Sequence, residues 1–131
     1  MTTNYLYVRA GGYISALGLS TLPSFAAVRA GIKGHRELPY RDNRRERIIG
    51  SAVPGLSEGL RGSERLLELI ALSIQDLLRQ APLLSMTQVP IFMGLPELFS
   101  VQGLSAASIV SALRKRLGTD IAQAEIGRAH V

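Results

Sequence analysis

The hydrophobic and polar positions divide the chain into alternating extended and helical stretches. Residues 4–10 are apolar and rich in Tyr and Val, and Gly11-Gly12 interrupts them. They predict a first strand buried on both faces and closed by a tight turn. Ser20-Thr21 ahead of Pro23 is a helix start, because proline fits the first turn. Phe25, Ala26, Val28 and Arg29 continue that helix, and Gly31 stops it. A long loop is expected from Lys33 through Gly50-Ser51-Ala52-Val53-Pro54-Gly55 to Gly62.

The next helix is predicted from a cap at Ser63 to about Gln80, with Glu64 and Arg79 suited to its positive and negative ends. Leu66, Leu67, Leu69, Ile70, Leu72, Ile74, Leu77 and Leu78 cover most of its circumference, which predicts a largely buried helix. Pro82 ends it. Residues 88–94 read as a short strand with a proline near its start, and Gly94-Leu95-Pro96-Glu97 as its exit turn.

Ser105 caps a further helix on which Ala106, Ile109, Val110, Leu113 and Leu117 share one face. Leu104 can staple onto Ile109, Arg114-Lys115-Arg116 suit the negative end, and Gly118 supplies the stop. Residues 119–122 open a third strand. The order is strand, helix, long loop, helix, strand, helix, strand, which favours a layered α/β arrangement.

Composition narrows the chemistry. The chain has 131 residues, 47% hydrophobic and 19% charged, a globular balance. It has no cysteine, which excludes disulfides, thiolate metal sites and a cysteine nucleophile within these residues. With only His35 and His130, a histidine-rich metal centre is not expected, and no cofactor is. The uncharged run 10–28 contains Gly11, Gly12, Gly18 and Pro23, too broken for a membrane span. Arg9 ahead of it and Ser24-Phe25-Ala26 could mimic a signal peptide, but the same breakers argue against one. No membrane association and a cytoplasmic location are expected.

The net charge of +5 is concentrated in residues 33–47. Lys33, Arg36, Arg41, Arg44, Arg45 and Arg47 face Glu37, Asp42 and Glu46 there, a local excess of +3. A solvated loop with local ion pairs accounts for such a run, and so does a surface for phosphate, nucleic acid or an acidic protein. Tyr40 is the only interleaved aromatic and no nucleic-acid fold signature accompanies it, so nucleic acid is not the expected partner.

No catalytic constellation is visible. Gly11-Gly12 does not meet G-x-G-x-x-G. Glu64 and Glu68 share a helix face but are expected to be solvated, the serines have no histidine and acid in a familiar order, and His35 is expected to be exposed.

At Ser15-Ala16-Leu17-Gly18, followed by Arg29-Ala30-Gly31-Ile32, the sequence resembles the opening of β-ketoacyl synthases of the thiolase-like superfamily. A Leu-rich helix over 63–80 and a strand over 89–94 fit the order of that superfamily's N-terminal half. The arginine-rich loop and Met93-Gly94-Leu95-Pro96-Glu97 depart from its pattern. The resemblance implies an incomplete N-terminal half of a thiolase-like α/β fold. It also implies a parent acyltransferase that condenses acyl groups through a cysteine, supplied by acyl carrier protein or acyl-CoA, and forms a homodimer or heterodimer. The cysteine would sit at a strand-to-helix turn after the third strand, where a helix N-terminus lowers its pKa, with histidine partners later still.

The tail residues 125–131, Glu-Ile-Gly-Arg-Ala-His-Val, are a reading of GAG ATC GGA AGA GCA CAC GTC. That resembles the start of a common sequencing adapter, so residues 1–124 are expected to be a partial thiolase-like domain and 125–131 a non-native tail. The piece alone is then expected to be inactive, with open sheet edges and uncovered apolar faces. Two alternatives remain: a non-catalytic thiolase-like partner subunit, or a small binding protein that uses loop 33–47 on an acidic protein or nucleic acid.

Overall fold

A computed structural model describes residues 5–57, 59–84, 89, 91–95, 105–118 and 124–128. They contain three helices and four strands, so the chain mixes helix and sheet. In chain order these are α1 (Thr21–Arg29), β1 (His35–Arg41), β2 (Arg47–Ser51), α2 (Gly62–Gln80), β3 (Ile91–Leu95), α3 (Ala106–Leu117) and β4 (Ala124–Arg128).

The chain divides into two compact units, Met1–Leu60 with Leu72–Pro82, and Arg61–Ala71 with Leu83–Val131. In the first, α1 ends as the sequence predicts. Gly31 takes a φ of 71°, its amide donates to Val28 O at 3.0 Å, and the Ile32 amide donates to Ala27 O at 2.9 Å. That pair of bonds is a Schellman stop, which satisfies carbonyls the helix leaves free. β1 and β2 then pair antiparallel, with Arg36 opposite Gly50, Glu37 opposite Ile49 and Arg41 opposite Arg47.

Two expectations fail in this unit. Residues 5–10 form no strand, and Tyr5, Leu6, Tyr7 and Val8 stand exposed. Their β propensity has no neighbouring strand to act on among the described residues, and a strand without a ladder leaves its amides and carbonyls unpaired. The segment expected as a long loop instead holds the β1–β2 hairpin. His35 is exposed as expected, but on a strand.

In the second unit β3 and β4 pair in parallel, from Ile91 opposite Ala124 to Leu95 opposite Arg128. Parallel neighbours need a crossover, and α3 lies between them in the chain. Ser105 caps α3 by accepting from the Ser108 amide at 3.1 Å, and Gly118 ends it at φ 63°. Ala71, Met93, Ile109 and Leu113 are its buried apolar residues. Of the expected strand boundaries, residues 88, 90 and 119–122 lie outside the described residues. The observed β4 starts at Ala124 and includes residues of the tail; its ladder needs only backbone groups.

The helix α2 is less buried than its pattern predicts. Of its apolar residues only Ala71 is buried, and Leu66, Leu67, Leu69, Ile70, Leu72, Ile74, Leu77 and Leu78 are all half-exposed. Leucines all round a helix need a neighbour on every side, and the described elements do not supply one. No helix among the described residues is long and apolar enough to cross a membrane.

Candidate functional site

Two arrangements of polar side chains stand out, both in the first unit. One is buried. Asp76, on the second half of α2, is one of two buried polar residues described; Ser24 of α1 is the other. Asp76 Oδ2 accepts from the Thr21 amide at 2.8 Å and the Tyr13 amide at 3.2 Å. The Thr21 hydroxyl stands 2.6 Å from the same oxygen and 2.7 Å from Gly11 O. Gln80 Nε2, one turn further along α2, donates to Gly11 O at 2.8 Å and reaches Asp76 Oδ2 at 3.3 Å.

This carboxylate does what the residue before α1 does not. Ser20 occupies the cap position but makes no side-chain cap bond, and the α1 amide at Thr21 is satisfied by α2 instead. Burial pushes the Asp76 carboxyl up. The Thr21 hydroxyl and amide, the Tyr13 amide and the Arg79 charge outweigh it, and hold the pKa below its ordinary 3.8. Gly12 fits the same place by size, because a Cβ there would fall on the Ser73 carbonyl of α2. The Tyr13 and Phe25 rings pack 5.6 Å apart beside it.

A second set of bonds folds Ser15-Ala16-Leu17-Gly18 onto α1. Ser15 and Gly18 bridge through their backbones at 3.0 and 3.3 Å. Ser15 Oγ accepts from the Leu17 amide at 3.1 Å and donates to Ser24 Oγ at 3.0 Å, which donates on to Gly18 O at 3.2 Å. Among the described residues these hydroxyls bond only to each other, an amide and a carbonyl, and a serine without a base is not an activated nucleophile. The cluster positions backbone.

The other arrangement is exposed: the β1–β2 hairpin, which carries most of the basic run 33–47. Its tip is Asn43-Arg44-Arg45. Asp42 closes it, with its amide donating to Glu46 O at 2.9 Å and its carbonyl accepting from the Arg45 amide at 3.0 Å. Asp42 Oδ1 accepts from the Arg44 and Glu46 amides, each at 2.8 Å. Arg41 Nη1 donates to Arg45 O at 2.7 Å, and Arg47 pairs with Glu37 at 3.1 Å. Among the described residues the side chains of Arg36, Arg44 and Arg45 have no such partner.

Glu64 is exposed, whereas Glu68 is half-buried and pairs with Arg116 of α3, so the two do not form a solvated acid pair. The described residues hold no group of acids and histidines able to bind a metal ion. Sequence reasoning missed Asp76, and its one signal was an acid beside Leu77 and Leu78 in the apolar second half of α2. It also missed Asp42 as the residue that shapes the hairpin tip. No protein-family model, curated protein or solved structure matches the chain.

Proposed function

We propose that the chain is the N-terminal portion of a β-ketoacyl synthase-like acyltransferase with a thiolase-like fold. The observation that carries this is the tie of Gly11 and Tyr13 to both α1 and α2 through Asp76 and Gln80, which joins the opening segment to the first and second helices in the order such a layered fold needs. The strand β3 followed by α3, both within residues 1–124, supports the same order of elements.

In that family a cysteine takes the acyl group from acyl carrier protein or coenzyme A, and the enzyme extends it. None of the 131 residues is cysteine, so these residues contribute scaffold and no nucleophile. The protein encoded by the whole gene tests the proposal. Incubated with an acyl thioester, it is expected to gain the mass of one acyl group on a cysteine, lost on Cys→Ala substitution. A whole-gene product that folds and takes up no acyl group contradicts the proposal.

A further inference from the structure

We infer that the tip of the β1–β2 hairpin is a docking surface for an acidic polypeptide, with Arg44 and Arg45 as its principal contacts. The evidence lies in the hairpin alone and is independent of the acyltransferase proposal. The three-residue tip is a turn followed by a residue in the left-handed region, a position that turn chemistry gives to glycine. Here it is Arg45, at φ 67°, the only non-glycine residue described with a positive φ. An L side chain is disfavoured there. The hairpin therefore keeps a cation where glycine would fold better.

The cations at the tip are also the uncommitted ones. Arg41 is spent on Arg45 O and Arg47 on Glu37, while Arg44 and Arg45 project no charge onto any described acid. Asp42 is turned inward onto the tip amides, so it does little to mask them. Charge complementarity thus calls for carboxylates on the partner.

A polypeptide fits better than a nucleic acid. Glu46 stands between Arg45 and Arg47 and would meet a continuous phosphate backbone with repulsion, whereas a protein surface can leave it to water. Ile49 on β2 is 70% exposed and Tyr40 on β1 is 50% exposed, giving the apolar and aromatic contacts that accompany arginine in protein interfaces.

Fluorescence anisotropy with labelled poly-L-glutamate, on the full chain, tests this. Binding is expected to weaken as salt rises. Arg44→Ala should weaken it about threefold and Arg44→Ala/Arg45→Ala about tenfold, at the scale of exposed charge pairs. Lys115→Ala, which removes one exposed charge from α3, should leave it unchanged. Arg45→Gly separates turn from contact: exchange of the Asp42 amide should slow about threefold while binding weakens about threefold. No binding by the parent chain, equal weakening by Lys115→Ala, or undiminished binding by Arg45→Gly overturns the inference. Tighter binding of duplex DNA than of poly-L-glutamate, lost in the same arginine variants, overturns it in favour of a nucleic acid.

Discussion

Asp76 of α2 caps α1 through Thr21: one carboxylate oxygen lies 2.8 Å from the Thr21 amide and 2.6 Å from its hydroxyl. The two residues are 55 positions apart, so the start of one helix is fixed by the side chain of another. Asp76→Ala leaves the Thr21 and Tyr13 amides without their acceptor and should destabilise the fold by about 1–3 kcal/mol. Asp76→Asn keeps an acceptor and loses the charge, and should cost about 1–2 kcal/mol. Urea titration of the three proteins measures both.

The same contact sets a pH dependence. The folded carboxyl titrates below its ordinary 3.8, so folding favours the ionised form. The stability it contributes is complete above the ordinary value and is lost as pH falls through the depressed one. Asp76→Asn should therefore flatten the loss of stability on acidification below about pH 4. Thermal melts from neutral to acid pH report it; an unchanged acid limb in the variant would disconnect Asp76 from the effect.

Gly11 and Gly12 are adjacent and should respond oppositely. A Cβ at Gly12 lands on the Ser73 carbonyl, which is backbone and cannot step aside, while a Cβ at Gly11 meets nothing within 4 Å. Gly12→Ala should destabilise by about 1–3 kcal/mol, as overpacking does, and Gly11→Ala by far less. Denaturation midpoints of the two variants, measured side by side, check the contrast.

Asp42→Ala removes the acceptor for the Arg44 and Glu46 amides without touching the ladder beyond the tip. Exchange of those two amides should quicken about tenfold, with amides of α3 unaffected. Residue-resolved hydrogen exchange measures it.

At α3 both ends are set by local chemistry. Ser105→Ala loses the bond to the Ser108 amide and should cost about 1 kcal/mol. Gly118→Ala places a side chain at φ 63° and should cost about 1 kcal/mol. Both are read from denaturation curves, where an Asn at position 118 should be milder than Ala.

What the sequence made legible follows from the range of the forces involved. The stop of α1 and the cap and stop of α3 were readable because a serine and two glycines act within a turn of where they stand, and Pro23 marked where α1 starts though not what caps it. The hairpin was not, because Arg45 stands where its glycine signal would be and neither strand alternates apolar with polar residues. Residues 5–10 were read as a strand from composition, yet a strand is made by its neighbour. Asp76 was hidden for the converse reason, since its role exists only once Gly11, Tyr13 and Thr21 are brought to it. The apolar ring of α2 predicted burial that the described elements only half provide.

Reading the gene through codon 124 from independently prepared DNA tests the central proposal most directly. The expected result is an open frame that departs from the seven tail codons, with a cysteine at a strand-to-helix turn soon after residue 124 and histidines further on. The same seven codons followed by a stop, or a continuing frame without that cysteine, would contradict it.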